Sequence, residues 1–311
     1  MIESVLQLGE PVAHRGIVLC PLFPRRDPHA AYLTLEEALP LGFRIGEVSE
    51  AGSVPELAVV NPTDAAVLLY DGEELLGAMQ NRILNVTVLV GAGATLPIPV
   101  SCVEEGRWHS RSAEFAAAPH ASHPHMRRRK AETLAARPLA RGIAQGEMWD
   151  EVRAKSARMG VHSETGANAD VFRSFADELR DLEVAFPATP GQCGALLALG
   201  DDLCLDYVSR PEAFARLYPK LRSGYLLDAV ERLDGEPAAQ ERLEAFVAAV
   251  GAAETARRPS EGLGEDVRLS GAGLVGSGLE LDGEVLQLSA FTSEDGGRRA
   301  FGRIARPSRR H

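Results

Sequence analysis

The residues from 71 to 108 constrain the fold of this chain more than any other stretch, because they encode two neighbouring strands and the turns that bound them. The Asp-Gly pair at 71–72 is a two-residue turn signal after an apolar run. Residues 82–90, RILNVTVLV, are rich in the β-branched and apolar side chains that favour strands. Residues 91–94, GAGA, predict a turn, and residues 96–103 predict the returning strand. The N-terminal third of the chain must therefore contain antiparallel sheet.

The returning strand carries two prolines, Pro97 and Pro99, whose missing amide groups fall on the same side of the strand. Proline cannot donate to a neighbouring strand, so we expect a sheet edge over at least the first half of this strand. Three strand-like runs between residues 43 and 70 precede it and read as a meander. We predict that residues 1–112 form an antiparallel, β-rich part, either a sandwich or a barrel.

Residues 113–130 change in composition, since they are poor in large apolar side chains and rich in Ala, Ser, His and Pro. We predict a linker or mobile loop here, ending in a solvated run of basic residues. His120, His123 and His125 have a spacing that metal ligands can show, but no cysteine or carboxylate supports them. A solvated loop is the preferred interpretation, and no metal or other cofactor is predicted.

The last part of the chain, residues 131–311, mixes helical and strand patterns. Helices are predicted near 143–159 and 171–182, and a later helix should be interrupted at Pro219. The sequence GAGLVG at 271–276 matches a dinucleotide-binding pattern, but a hairpin pattern follows it instead of a helix, so the glycines are interpreted as structural. We predict helices on a small sheet, packed on the first part, and an α+β fold for the whole chain.

The composition argues against some classes of function. The net charge of −11 opposes binding to a nucleic-acid backbone, and no apolar run is long enough to span a membrane. Residues 101–160 hold 11 basic against 7 acidic side chains, a positive band that favours a small anionic ligand. The acidic N-terminus does not resemble a secretory signal, and the four cysteines are widely spaced. We expect a cytoplasmic protein with buried, reduced thiols.

Polar groups with binding chemistry are concentrated between residues 71 and 108. Arginine suits phosphate, amides can read the polar edge of a ligand, a tryptophan can stack on a ring, and a glutamate can act as a base. The candidate ligand-binding residues are Glu73, Gln80, Asn81, Arg82, Glu104, Arg107 and Trp108. In the competing interpretation the glutamates face water, Arg82 pairs with a neighbouring carboxylate, and Trp108 belongs to the core.

Several motifs of this chain resemble one family. They are GEELLGAMQNRILNVTVLV, IPVSCVEEGRW, QGEMWDEV and LELDGEVLQLSAF, spread over most of the sequence. The chain resembles the ARG-and-rhodanese-phosphatase-superfamily-associated protein domain family, which is linked by gene association to ADP-ribosylglycohydrolases. The resemblance implies a connection with ADP-ribose or NAD-derived metabolites, and it extends the candidate site to Gln145 and Trp149.

Two main hypotheses of different classes follow, and a metal-dependent hydrolase is a third. In the first, the protein binds or processes an ADP-ribose-like nucleotide, with Arg82 and Arg107 on phosphate, Gln80 and Asn81 on polar edges, and Trp108 stacking. In the second, it is a non-enzymatic interaction module whose edge strand and basic band recruit a protein partner, such as a neighbouring hydrolase.

Overall fold

The computed structural model describes residues 5–49, 52–137 and 144–294, which have an α+β fold. The strands β1 to β18 are, in chain order, Leu6–Leu8, Val12–His14, Ile17–Pro24, Leu33–Thr34, Arg44–Glu47, Glu56–Val60, Val67–Leu69, Glu73–Gly77, Arg82–Leu84, Val88–Val90, Thr95–Cys102, Phe115–Ala121, Gly194–Leu199, Asp202–Val208, Glu254–Pro259, Glu265–Gly271, Leu274–Leu281 and Glu284–Thr292. The α-helices α1 to α7 are Leu35–Ala38, Pro124–Ala136, Gln145–Arg158, Asn168–Ser174, Ala176–Glu183, Pro211–Val230 and Gln240–Ala252. No helix in the described ranges is both long and apolar enough to cross a membrane.

The largest sheet has nine strands and takes them from both ends of the chain. Its order is β1-β3-β13-β14-β18-β17-β16-β15, with β2 also paired to β3. Strands β3 and β13 are antiparallel neighbours from Ile17 opposite Leu199 to Leu22 opposite Gly194. The boundary predicted at residue 112 therefore does not divide the structure, and the C-terminal sheet is not small. Most of β3 is buried, and a strand of that kind needs a neighbour on each side and cover on both faces.

The predicted β-rich part contains a six-stranded sheet, β12-β8-β9-β11-β6-β5, and a three-stranded sheet, β10-β7-β4. The six-stranded sheet curls into a half-barrel that brings Arg44 of β5 within 3.9 Å of Glu114, next to β12. Strand β11 pairs with β6 over residues 95–99 and with β9 over residues 100–102. Its first half is thus paired on one side only, which confirms the edge expected from the two prolines.

The predicted linker at 113–130 is wrong, because this segment forms β12 and the first half of α2. Its small side chains allow close packing. Their low hydrophobicity made the segment resemble a linker in the sequence. Helix α6 crosses the end of β12 so closely that a Cβ atom on Gly224 would lie 2.7 Å from the Ala121 carbonyl oxygen. In the basic run that follows, Arg127 and Lys130 are fully buried, so most of that run is not solvated.

Helix α6 also differs from its prediction, because it continues through Pro219 without interruption. Proline removes one backbone hydrogen bond, a local cost that burial can offset. Phe214, Leu217, Leu221 and Tyr225 all pack into the core on either side of Pro219. The helix predicted at 171–182 is present as two helices, α4 and α5, which are separated at Phe175.

The core lies on both faces of the large sheet. One face packs on α5 and α6 through residues such as Leu197 and Phe214, and the other packs on α7 through Leu196 and Phe246. The glycines at 271–276 lie in the hairpin between β16 and β17, which confirms their structural interpretation. All four cysteines are free and buried, as expected.

Candidate functional site

The Arg82 side chain lies at the end of the half-barrel, where it contacts groups of the chain itself. It is fully buried, and its Nη1 donates to the Gln80 carbonyl oxygen at 3.0 Å and to the Gln80 Oε1 at 3.4 Å. Its Nη2 lies 3.6 Å from Glu47 Oε1, and its guanidinium lies 5.7 Å from the centre of the Trp108 ring. Arg82 therefore pairs with a neighbouring carboxylate, as the competing interpretation expected.

Arg107 is likewise fully buried and holds a tight turn. Its Nη1 donates to the Ala78 carbonyl oxygen at 2.6 Å, and its Nη2 donates to Glu104 Oε2 at 2.6 Å and to Asn81 Oδ1 at 3.2 Å. Burial alone would raise the pKa of Glu104, but hydrogen bonds from Arg107, Asn81 and Thr165 lower it. A carboxylate with a lowered pKa is a weak base, so Glu104 is better suited to fixing this turn than to taking up a proton.

The other candidate residues have surroundings that differ from one another. Trp108 is 47% exposed and does not belong to the core, whereas Glu73 is buried and accepts from Lys220 at 2.8 Å. Gln145 bonds to both backbone groups of Cys102 at 2.8 Å and ties α3 to β11. Trp149 is half-buried on the same helix, and its Nε1 has no hydrogen-bond partner among the described residues.

A second polar region, absent from the predicted set, surrounds the start of α2. The Asp228 carboxylate of α6 lies 2.9 Å from the His123 Nδ1, and it accepts from the His125 backbone amide at 2.8 Å and from the Lys155 ammonium at 2.7 Å. We call these four residues the Asp228 cluster. Burial would raise the pKa of Asp228, but His123 and Lys155 lower it well below its usual range. The cluster fastens α2, α3 and α6 together at one point.

The His125 side chain leaves this cluster and forms an imidazole–carboxylate pair. Its Nδ1 lies 2.6 Å from Glu151 Oε1, and a carboxylate only accepts, so the Nδ1 carries a proton. Burial would raise the pKa of Glu151, but the hydrogen bond and charge of His125 lower it, which keeps it ionised. The second ring nitrogen, Nε2, is then available to give or take a proton.

His125 lines an open cleft of about 310 Å³. The other lining residues are Arg158, Asp228, Glu231 and Arg232. Arg158 donates to Glu231 at 2.9 Å, and Arg232 is bonded to Asp202. The cleft thus combines one acid–base group with two guanidinium groups and two carboxylates, a composition that can bind both the anionic groups and the hydroxyl groups of a small molecule.

A fully buried ion pair anchors the helix that presents His125. Arg127 donates to Asp206 through two nitrogens, at 2.7 and 2.6 Å. The same carboxylate accepts from the hydroxyls of Tyr70, Tyr225 and Ser289 at 2.6 to 2.7 Å. We call these five residues the Asp206 cluster, and they lock α2 against β14, β18 and α6.

The three histidines do not converge on a metal position. His120 bonds to Glu74 at 3.0 Å, whereas His123 and His125 each bond to a different carboxylate. Within the described ranges, no group of three His, Cys, Asp or Glu side chains has the arrangement of a metal site. The expectation that this histidine segment is solvated is wrong, because His120 and His123 are buried.

Sequence reasoning missed the cleft because its residues come from separate segments. One local signal was present at His123-Pro124, since a polar residue followed by proline is typical of a helix start. The partners Glu151, Asp228 and Glu231 lie 26 or more positions from the histidines in sequence, and no spacing rule connects them.

The family comparison agrees with the resemblance seen in the sequence. The model of the ARG and Rhodanese-Phosphatase-superfamily-associated Protein domain matches residues 5–291, which is nearly the whole chain. No curated protein and no solved structure is similar enough to this chain to count as a match.

Proposed function

The chain belongs to the family of the ARG and Rhodanese-Phosphatase-superfamily-associated Protein domain, and on that premise we propose that it binds and processes an ADP-ribose-like or NAD-derived nucleotide. The link with ADP-ribose chemistry rests on the gene association of this family with ADP-ribosylglycohydrolases. The cleft beside His125 is the site that we propose for the ligand. We place the activity in the cytoplasm, since free buried cysteines are typical of proteins from reducing compartments.

The observation that carries the proposal is the His125–Glu151 pair at the wall of an open cleft. Glu151 fixes the ring orientation and leaves the Nε2 as the group that exchanges a proton with the ligand. A positioned imidazole of this kind contributes about 10²- to 10⁴-fold to reactions that need proton transfer. Ribose hydroxyls and leaving-group oxygens of a nucleotide are acceptors or donors for such a transfer.

Two guanidinium groups support an anionic ligand. Arg158 and Arg232 line the same cleft as His125, and guanidinium groups match the geometry of phosphate oxygens. Both side chains are 42–47% exposed, so solvent and ligand can reach them. Their carboxylate partners, Glu231 and Asp202, hold them in place, and Asp228 and Glu231 balance the two arginine charges in the cleft lining, which favours a small ligand over a long polyanion.

Calorimetry and product analysis test this proposal. We expect wild-type protein to bind ADP-ribose, NAD or AMP, and we expect chromatography of the incubated mixtures to reveal turnover of at least one of them. His125→Ala should abolish turnover, whereas His29→Ala, at an exposed histidine outside the cleft, should retain it. The nucleotide proposal fails if wild-type protein gives no heat of binding with any of the three compounds.

A second candidate function is a module that recruits a protein partner. The observation that favours it is Trp108, whose large aromatic side chain is 47% exposed beside Gly52 and near the exposed Val54. Exposed aromatic and apolar residues are typical of protein-binding surfaces. In a pull-down, a stoichiometric partner that is lost with Trp108→Ala and retained with His125→Ala would favour the module over the enzyme.

A further inference from the structure

The polar lining of the cleft beside His125 limits which part of a nucleotide can lie in it. The described residues that line it are His125, Arg158, Asp228, Glu231 and Arg232, and none of them is an apolar residue. We propose that the cleft holds a ribose-phosphate unit of the ligand and leaves the nucleobase in solvent. This inference rests on the proposed function and adds to it the chemical group that the protein recognises.

The recess next to the cleft is closed to a nucleobase. Its apolar lining includes Leu197 and Phe291, and each of these side chains is at most 2% exposed. A flat aromatic ring is bound mainly by burial of its faces against apolar or aromatic groups. Because these side chains are already covered by the protein, a ligand in the cleft cannot place its base against them. The base then keeps its contacts with water.

Two carboxylates line the same space as the arginines and can accept further hydrogen bonds. Asp228 Oδ2 accepts from the His125 amide at 2.8 Å, and Glu231 Oε2 accepts from Arg158 at 2.9 Å. A carboxylate oxygen can accept two hydrogen bonds, and among the described residues one bond reaches each of these two oxygens. Carboxylates repel phosphate but accept from hydroxyl groups, and nucleotide sites commonly place an acidic residue on the ribose hydroxyls. A ligand that suits both signs of charge therefore carries a phosphate and neighbouring hydroxyl groups.

The size of the cleft agrees with a fragment of a nucleotide. Its volume is about 310 Å³, which lies at the lower end of the range of about 300 to 1,000 Å³ for pockets that enclose drug-sized ligands. In the arrangement that we propose, Arg158 and Arg232 bind the phosphate, whereas Asp228 and Glu231 accept from the vicinal hydroxyl groups of the ribose. This arrangement leaves the His125 Nε2 as the acid–base group beside the sugar.

Calorimetry of wild-type protein with four phosphate compounds tests the inference. Ribose 5-phosphate and 2-deoxyribose 5-phosphate differ by one hydroxyl group, whereas AMP and inosine monophosphate differ in the base alone. We expect ribose 5-phosphate, AMP and inosine monophosphate to bind within about threefold of one another, because the base lies in solvent. The deoxyribose compound should bind at least about tenfold more weakly than ribose 5-phosphate, because a carboxylate loses the hydrogen bond from the missing hydroxyl.

Two variants assign these effects to the cleft. Glu231→Gln removes a negative charge and should reduce the preference for ribose over deoxyribose to about threefold or less. Arg232→Met should weaken all four compounds by a similar factor, at least about fivefold, and leave that preference unchanged. Arg15→Met, at a similarly exposed arginine outside the cleft, is the matched control and should change neither property. If circular dichroism shows that Glu231→Gln is misfolded, the wild-type comparison of the two sugars decides.

The outcomes separate the two proposals. If AMP binds more than about tenfold more tightly than ribose 5-phosphate, the protein recognises the base, and the inference is wrong while the proposed function stands. Equal binding of the ribose and deoxyribose compounds would overturn the inference in the same way, because the carboxylates would then not bind the hydroxyl groups. If none of the four compounds binds, and ADP-ribose and NAD also give no heat, the proposed function fails and the inference falls with it.

Discussion

Arg127 and Asp206 form a two-pronged ion pair that is completely removed from solvent, with nitrogen–oxygen distances of 2.7 and 2.6 Å. The two residues lie 79 positions apart, and each belongs to a different layer of the fold, helix α2 and strand β14. The pair therefore sets where α2 lies on the large sheet. Since His125 is two residues before Arg127, the same pair sets where the imidazole of the cleft lies.

Asp206→Asn is expected to destabilise the protein by about 3–5 kcal/mol, because it leaves the Arg127 charge buried without a counter-ion. Urea unfolding measures the change. Asp234→Asn is the matched control, since the Arg15–Asp234 pair is exposed and should contribute little. Equal effects of the two substitutions would contradict the importance assigned to the buried pair.

The stability of the protein should fall in acid over a defined pH range. Burial would raise the pKa of Asp206, but Arg127 and the hydroxyls of Tyr225 and Tyr70 lower it to about 2. A group with a lowered folded-state pKa stabilises the protein above its unfolded pKa, near 3.8, and this contribution is lost as the pH falls towards 2. We expect a loss of about 2 kcal/mol from this residue. Urea unfolding from pH 5 to pH 2, with Asp206→Asn as the comparison, should show a shallower decline in the variant.

Gly224→Ala should destabilise the protein although alanine favours helices. Alanine normally gains about 1 kcal/mol over glycine inside a helix. At residue 224, however, the new methyl group would lie 2.7 Å from the Ala121 carbonyl oxygen and push α6 away from β12. Gly146→Ala, in open space on α3, is the control and should be neutral or stabilising. Thermal unfolding compares them, and a stabilised Gly224→Ala would refute the close crossing.

Loss of the lysine from the Asp228 cluster should strongly destabilise the protein. Lys155→Met leaves Asp228 without a fully buried ammonium partner, and we expect a loss of about 3–5 kcal/mol. Arg158→Met, on the same helix face but 42% exposed, should cost less than about 1 kcal/mol. Urea unfolding of both variants gives the comparison, and a mild Lys155→Met would show that the cluster does not fasten the three helices.

Glu151→Ala should change the proton position on His125 without unfolding the chain. In wild-type protein the neutral imidazole should carry its proton on Nδ1, because that nitrogen donates to Glu151. Without the carboxylate, the proton should redistribute towards Nε2. Nitrogen-15 NMR of the histidine rings distinguishes these forms, and Glu147→Ala on the same helix is the control. An unchanged His125 spectrum in Glu151→Ala would remove the basis for the acid–base role.

Local patterns were sufficient for the elements that depend on neighbouring residues. Alternation and turn residues predicted the hairpin that follows residues 271–276, and Pro97 and Pro99 predicted the half-paired strand β11. Residues 82–90, predicted as one strand that returns over 96–103, instead form β9 and β10 in two different sheets. Local patterns were insufficient where packing outweighed propensity. The alanine-rich segment ending at Ala121 resembled a linker, yet its small side chains were needed for α6 to pack closely against it. Helix α6 continues through Pro219 because the residues on both sides of the proline are buried.

The candidate site shows the same difference between local and long-range patterns. The polar residues from Gln80 to Arg107 were found in the sequence as two short groups, 80–82 and 104–108. The bonds between the groups, such as those of Asn81 with Glu104 and Arg107, cross 23 and 26 positions and form only on folding. The cleft was not found, because His125, Glu151 and Asp228 meet only when three helices pack.

The sequence by itself determined that this chain is α+β, which family it belongs to, and where its antiparallel strands turn, since these properties depend on residue type and short-range spacing. Only the tertiary structure decided which charges are buried as pairs and which line a cleft. A charged side chain has the same chemical identity in a buried ion pair and in a cleft. Its role depends on which partners distant segments place beside it and on how much solvent reaches it.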